Sequence, residues 1–298
     1  GIAGFELLLN EEPESKTTTK WEAIRPSLPS YIQGNPNPEQ SMKLYTEAMQ
    51  DYVLDNVMGY RRAADKLRQA AAHDISNVKA LAMLASSYIN LIDSSNKDEN
   101  YFAVISKLID MSRAKKIDLP ETVIADVEFY ITINKAEAAQ NRVVEYTKNR
   151  QIGLEMFYYL ALAFHHRGDF QNAARYLSQF PENKAFSAKI FYLRGEIAEK
   201  LSDPATAFKE YEKAVNFNAN HAKSRLKIAE MLSKQGSLKN AASHLDFLVT
   251  NNRLLAPKDL ALAYYLHSQL SQLYNKPDVA LGDMERAVKL DHDNHDYQ

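Results

Sequence analysis

From residue 40 onward, the chain has a helical pattern of apolar and polar positions. Apolar residues recur at three- and four-residue spacing, and polar turn residues interrupt them every 12 to 18 residues. That spacing places apolar side chains on one face of an α-helix, and the alternation typical of strands is scarce. The pattern predicts an all-α fold whose first helix covers residues 40–54. The five prolines beyond residue 40 all fall in predicted turns or at helix starts: Pro120, Pro181, Pro204, Pro257 and Pro277.

The helical segments recur along the chain with a fixed period. Segments 168–173, 202–207 and 236–241 each join a turn to the start of a helix, each end in alanine, and stand 34 residues apart. A fixed period of this length, filled by two helices, is typical of a helical solenoid.

These residues resemble the tetratricopeptide repeat (TPR) family, whose unit is a pair of helices joined by tight turns. One copy matches the family pattern at Phe157, Leu160, Ala161, Phe164, Gly168, Ala173 and Leu177. The next copy departs from it at Arg194 and Ala198. Seven copies are placed by the small residue of the second helix, at Ala63, Val104, Ala139, Ala173, Ala207, Ala241 and Ala280. The resemblance covers about residues 40–294 and implies a right-handed superhelical solenoid of about seven helix-turn-helix repeats.

Residues 1–39 differ in composition and are predicted to form an extended, proline-rich arm or linker ahead of a repeat domain at 40–298. They hold five of the ten prolines and a run of three threonines, a composition that favours turns and extended chain. We expect Trp21, the only tryptophan, to dock on the chain's own repeats or on a partner protein. Because the chain begins at Gly1 without methionine, we expect it to be a fragment of a longer protein.

Composition and charge narrow the classes of function. Apolar residues make up 45% and charged residues 25% of 298, as in ordinary globular proteins. The formal net charge of −2 gives none of the basic excess that nucleic-acid binding usually needs. The longest nearly unbroken apolar run, 156–164, has nine residues, whereas a membrane helix needs about 20. We predict a soluble protein with no nucleic-acid partner and no membrane span; the compartment stays open, the cytoplasm or the periplasm for a bacterial source.

Candidate chemistry is sparse. The chain has no cysteine, which excludes thiolate nucleophiles and cysteine-ligated metals, and it has no phosphate-binding glycine loop or short catalytic signature. His165 and His166 point about 100° apart on a helix, so they are interpreted as a solvated helix end rather than a chelating pair. The tract 291–296, rich in aspartate and histidine, is interpreted as a polar turn. We predict no enzymatic activity, no catalytic residue, no cofactor and no metal.

The resemblance also implies a binding surface, the concave groove lined by the first helix of each repeat. The residues at groove places are Tyr158, Leu162, His165, Lys189, Tyr192, Glu196, Lys223, Leu226, Glu230, Tyr265 and Gln269. The three tyrosines are candidate anchors, because an aromatic ring with a polar tip supplies contact area at low entropic cost; some of them are equally expected to pack in the core. The implied function is a non-enzymatic scaffold or adaptor that binds a partner peptide or helix in this groove.

Two other interpretations stay open. The chain is alternatively a structural subunit of a larger assembly, such as a bacterial envelope or motility complex, that uses its convex face and array ends. The arm of residues 1–39 is also able to lie in the groove and compete with a partner there.

Overall fold

The computed structural model describes residues 36–92, 99–115, 119–148, 150–292 and 294. All of the regular structure in these residues is helical, which confirms the all-α prediction for this part of the chain. The α-helices in these ranges are α1 Pro38–Tyr52, α2 Val57–His73, α3 Val78–Ile89, α4 Glu99–Lys115, α5 Pro120–Thr132, α6 Ala136–Thr147, α7 Leu154–His166, α8 Phe170–Ser178, α9 Lys189–Lys200, α10 Pro204–Phe217, α11 Ala222–Lys234, α12 Ala242–Thr250, α13 Pro257–Leu273 and α14 Pro277–Leu290. Short 3-10 helices lie at Glu182–Lys184, Leu238–Ala241 and Asn252–Leu254.

The predicted boundaries differ slightly from those in the structure. The first helix begins at Pro38 and ends at Tyr52, two residues earlier at each end than the predicted 40–54. Proline favours the first helical position because its fixed φ suits a helix and its missing N–H has no partner there. Trp21 and nearly all of the predicted arm lie outside the described residues.

The later prolines lie where the sequence pattern placed them. Four are the first residue of a helix, and Pro181 directly precedes the 3-10 helix Glu182–Lys184. The four helix-starting residues are Pro120, Pro204, Pro257 and Pro277. None of them interrupts a described helix, which agrees with the period derived from the sequence.

The helices form seven successive pairs within the described residues, from α1 with α2 to α13 with α14. From α3 with α4 onward, the backbones of the two helices in each pair pack closely. The seven small second-helix residues that mark the repeats are all at most 7% exposed. Their burial confirms that these places lie at close helix contacts, where a larger side chain would push the helices apart.

The turn inside each of the last five pairs has the same backbone form. A residue with positive φ stands five places before the marker alanine, and the next residue donates its N–H to the carbonyl five residues back. This is the Schellman ending of a helix, which satisfies carbonyls that the helix leaves without partners. The residues with positive φ are Asn134, Gly168, Ser202, Gly236 and Asn275.

The described chain divides into two compact units. Unit 1 contains α1 with Val53, and the chain from Gly59 to Phe180; unit 2 contains Leu54–Met58 and the described chain from Pro181 onward. The predicted repeat domain therefore comprises two units.

In unit 2, Gly195 and Tyr211 show how small and large residues pack together. A Cβ built on Gly195 would lie 2.4 Å from the nearest atom of the Tyr211 ring. Tyr211 is fully buried, and its hydroxyl donates a 2.6 Å hydrogen bond to Glu199. Only glycine lets α9 approach α10 this closely.

In unit 1, a buried carboxylate connects four successive first helices. Glu128 of α5 accepts hydrogen bonds from the hydroxyls of Tyr52, Ser86 and Tyr159 and from the side-chain amide of Asn90. The donors belong to α1, to α3 and the residue that follows it, and to α7. Burial, and then the Glu128 charge, raise the pKa of both tyrosine hydroxyls well above the ordinary value. These groups therefore stay protonated and act as donors.

A second carboxylate in α5 is held by two arginines. Asp126 is fully buried, and its two oxygens lie 2.7 Å from Arg113 Nη2 and 2.6 Å from Arg142 Nε. The partners come from α4 and α6, so this triad joins three consecutive helices of unit 1.

Candidate protein-binding surface

In unit 2, the predicted groove residues lie on single faces of three first helices. Those of α9 and α11 stand at places i, i+3 and i+7, and the two of α13 are four residues apart, so each set is on one side of its helix. The members that the structure leaves half-buried are Tyr192, Glu196, Lys223, Glu230, Tyr265 and Gln269. Six predicted contact residues thus remain accessible in this unit.

Three predicted residues are placed in the interior instead. Tyr158 is 7% exposed and packs edge-on against Tyr159, with ring centroids 5.0 Å apart. Lys189 is 6% exposed, with its ammonium 5.9 Å from the Phe186 ring centroid, and Leu226 is 6% exposed within the apolar core of unit 2. These three pack within the fold in this structure, so a ligand would reach them only after rearrangement.

The two remaining predicted residues are on α7 in unit 1. Leu162 and His165 are half-buried, and the His165 ring packs edge-on against Phe170 at a centroid distance of 5.5 Å. His166 is exposed and its ring lies 5.4 Å from that of His165. The two histidines are the last residues of α7, as the sequence predicted, but only His166 is solvated: both ring nitrogens of His165 are buried, which corrects that part of the prediction.

Tyr192 is the centre of the surface on α9. Its ring lies 5.6 Å from the rings of both Tyr211 and His221. Burial, and then the charge of Glu196, raise the pKa of the Tyr192 hydroxyl well above the ordinary value. Burial also raises the pKa of the Glu196 carboxyl, against a hydrogen bond with Tyr192 that lowers it.

Charges of both signs alternate across α9 and α11. Lys227 lies 3.2 Å from Glu199 and 3.7 Å from Glu230, and Lys234 lies 2.9 Å from Glu230. Pairs this exposed contribute little stability, typically about 0–1 kcal/mol each. They instead present a mixed pattern of charge that selects among partners by complementarity.

Sequence reasoning missed two buried polar residues beside this surface, Asp55 and His221. Asp55 Oδ2 lies 3.0 Å from His221 Nε2, and Asp55 Oδ1 lies 3.3 Å from Lys223 Nζ. Burial alone would lower the pKa of the Lys223 ammonium, but the charges of Asp55, Asp259 and Glu196 and the hydrogen bond with Asp55 together raise it above the ordinary value. Asp55 and His221 are 166 residues apart in sequence, so no periodic signal connects them.

Metal sites and membrane-spanning helices are two further features to consider in the ranges that the structure describes. Within those ranges, no three side chains of the metal-ligating types are grouped so as to hold an ion. Part of the 291–296 tract lies outside them. None of the described helices combines the length and the apolar character that crossing a membrane requires.

Comparison with known proteins gives the class of fold. No protein-family model matches the chain, and no curated protein matches its sequence. Among solved structures, the chain is similar to a chain of the APC/C hetero-tetramer Cut9–Hcn1, at 13% identity and a TM-score of 0.67, covering 98% of this chain and 58% of that one. It is also similar to PilF of Pseudomonas aeruginosa, at 14% identity and a TM-score of 0.58, covering 76% and 96%.

A third similar structure carries the name of the family. It is a thermophilic TPR protein from Thermus thermophilus, at 14% identity and a TM-score of 0.52, covering 64% of this chain and 98% of that one. Identities this low establish the fold alone. The chain has a TPR-like fold, as the resemblance in its sequence implied.

Proposed function

We propose that the protein is a non-enzymatic adaptor that binds a segment of another protein along the first helices of unit 2. The observation that carries this proposal is the row of half-buried aromatic and charged residues on α9, α11 and α13, led by Tyr192, Glu196 and Glu230. Side chains of this kind suit a peptide or helix, because rings supply area and the charges supply selectivity.

The similar structures support the proposal in general terms. One of them is a chain of a hetero-tetramer, so a chain of this fold takes part there in an assembly of different proteins. A repeat scaffold has no obligatory active site, and function on it depends on the residues that the surface presents. A protein partner is therefore the ligand class that this surface fits best.

The test is a capture experiment from lysate of the source organism with two matched triple variants. One variant changes Glu230, Tyr265 and Gln269 to alanine on the first helices. The control variant changes the exposed Lys209, Glu212 and Asn216 of α10 to alanine. We expect a partner identified by mass spectrometry to bind the wild type and the control and to be lost from the first variant. Equal retention by both variants would contradict the proposal.

A structural-subunit role is the second candidate, and exposed apolar residues favour it. Leu273, Tyr274, Val279 and Leu281 lie around the turn between α13 and α14 and are 44–63% exposed. Apolar side chains gathered in this way are typical of a protein contact. If this surface forms the main interface, changing Leu273 and Leu281 to serine will release the partner while the α9–α11–α13 variant retains it.

The competing arm is a separate proposal. Residues 1–39 lie almost wholly outside the described part of the chain, so self-occupancy rests on the sequence. Deleting residues 1–35, which leaves α1 and its cap intact, is expected to raise the affinity for a captured partner severalfold, and unchanged affinity would contradict the idea.

A further inference from the structure

A short segment of the chain is held in unit 2 in the way that a bound peptide would be. The segment is Leu54–Met58, and the side chains that hold it are Asn218, His221 and Lys223. Asn218 Nδ2 donates to the backbone carbonyl of Leu54 at 3.3 Å. His221 Nε2 and Lys223 Nζ each contact one carboxylate oxygen of Asp55, at 3.0 and 3.3 Å.

The hydrogen bonds fix the role of each donor. A carboxylate only accepts, so His221 Nε2 must carry the proton that it shares with Asp55. His221 Nδ1 lies 2.8 Å from the Ser224 hydroxyl, which is therefore able to donate to it and hold this tautomer. His221 and Ser224 are fully buried. The imidazole is thus oriented in advance toward a carboxylate.

The backbone of the held segment is also unusual. Asp55 has a φ of 49°, in the left-handed region that residues with a side chain seldom adopt. It is 5% exposed there. The contacts of its carboxylate with His221 and Lys223 help to keep it in this conformation.

The receiving side chains are continuous with the candidate protein-binding surface. Lys223 is itself one of the predicted groove residues, and the His221 ring lies 5.6 Å from that of Tyr192. A carboxylate and one backbone carbonyl are the groups that a partner segment also presents when an acidic residue follows an apolar one and the chain turns at the acidic residue, as it does at Asp55.

We propose that Asn218, His221 and Lys223 form a binding site for an aspartate-containing segment of a partner protein, and that Leu54–Asp55 is an internal ligand occupying it. The inference rests on the proposed function, because it names the chemistry that one part of the same surface recognises. A partner segment with an apolar residue followed by aspartate displaces the internal one. Because the internal segment belongs to the same chain and occupies the site, it lowers the apparent affinity of any partner for this site.

The experiment uses the full chain and a fluorescent peptide with the sequence of residues 52–57. We expect Asp55→Ala to bind the peptide about tenfold or more tightly than the wild type in a fluorescence anisotropy titration, because the internal carboxylate no longer competes. Adding Lys223→Ala to Asp55→Ala should reverse that gain. Replacing the peptide's aspartate by asparagine should weaken binding by about tenfold, because charge-assisted hydrogen bonds are the stronger ones.

The matched control is Asp246→Ala. Asp246 is an exposed aspartate of unit 2 that also contacts a histidine, with 3.1 Å between its Oδ1 and His267 Nε2. This variant should bind the peptide as the wild type does. Circular dichroism establishes that each variant is folded, and Asp55→Asn, which keeps the shape of the side chain, replaces Asp55→Ala if the latter unfolds.

Two outcomes would overturn the inference. One is a folded Asp55 variant with no gain in peptide affinity, and the other is equal binding of the aspartate and asparagine peptides. Neither outcome touches the proposed function if the captured partner is still lost from the triple variant at Glu230, Tyr265 and Gln269. Loss of that selectivity, with the peptide result intact, would overturn the adaptor proposal instead.

Discussion

At the scale of single residues, the contact between α9 and α10 depends on the absence of a Cβ at one position, Gly195. Gly195 allows the Tyr211 ring to lie against the backbone of α9, whereas a Cβ on Gly282 of α14 would have no atom within 4 Å. Both glycines lie inside helices. The same substitution should therefore have opposite effects at the two places.

We expect Gly195→Ala to lower the free energy of unfolding by about 1–3 kcal/mol, the usual cost of overpacking a core. We expect Gly282→Ala to raise it by about 0.5–1 kcal/mol, because alanine restricts the unfolded chain and favours the helix. Urea denaturation of both variants measures the difference. If the free energy of unfolding changes with the same sign in both variants, the Tyr211 ring does not exclude a Cβ at position 195.

Residues also show how far the sequence predicts the site. The small residue at 195 followed from its place in the repeat, because helix spacing fixes which places must be small. The burial of Lys189 and Leu226 did not follow, since it depends on how the neighbouring segments cover each helix. Asp55 was missed because its partners are 166 and 168 residues away, and nothing local records such a contact.

At the scale of elements, the turns between paired helices keep one backbone form while their sequences vary. The positive φ occurs at glycine in Gly168 and Gly236 but at other residues in Asn134, Ser202 and Asn275. The period therefore predicts the conformation even where glycine is absent. Both ends of the first helix lie two residues from the predicted ones, because capping, and not apolar periodicity, decides where a helix stops.

Ser202→Gly should stabilise the protein by about 0.5–1 kcal/mol. Removing the side chain relieves a left-handed backbone that costs about 1–2 kcal/mol, partly offset by the greater freedom of glycine when unfolded. Ser237 has a φ of −108°, so Ser237→Gly is expected to destabilise. Thermal unfolding of the two variants distinguishes the effects, and stabilisation by both would mean that the φ at 202 is not the cause.

The helix starts predict a dependence on pH. Asp169 and Asp203 are the N-caps of α8 and α10. Their side chains accept hydrogen bonds from the backbone N–H groups of Asn172 and Thr206, respectively. Hydrogen bonds from these residues lower the pKa of both carboxyls below the ordinary 3.8. Because the folded pKa is the lower one, the contribution to stability is present above pH 3.8 and is lost as the pH falls through the folded value.

Changing both aspartates to asparagine should keep the caps while removing this titration. Unfolding free energies measured by denaturant between about pH 5 and 2 are expected to fall less steeply for the double variant than for the wild type. Ser237, at the same place in the next repeat, makes no cap hydrogen bond, and its helix opens with a 3-10 turn. Ser237→Asp should steepen the acid loss; parallel curves for all three proteins would contradict the assignment.

At the scale of the whole molecule, stability in a repeat array is shared mainly between neighbours. Replacing Asp126 by asparagine leaves two arginines facing a neutral group at a buried site, which should cost about 3–5 kcal/mol. We expect hydrogen exchange to accelerate most in α4, α5 and α6, whose side chains form the triad, and least in α13 and α14. Asp110→Asn is the control, since Asp110 contacts the same Arg113 at 3.5 Å but is exposed. Uniform acceleration across the chain would contradict the neighbour model.

The Glu128 network has a consequence for how this molecule can be altered or could have evolved. Repeat arrays are commonly lengthened, shortened and shuffled, because one module substitutes for another. Here the acceptor lies in the third helix pair, while its donors come from the first, second and fourth. Deleting or duplicating any of these modules would strand a carboxylate or a hydroxyl inside the protein, at a cost of about 1–3 kcal/mol or more for each stranded group. The first four helix pairs therefore have to be kept together. Transferring repeats of this protein to another array should succeed only when all four pairs are moved as one block.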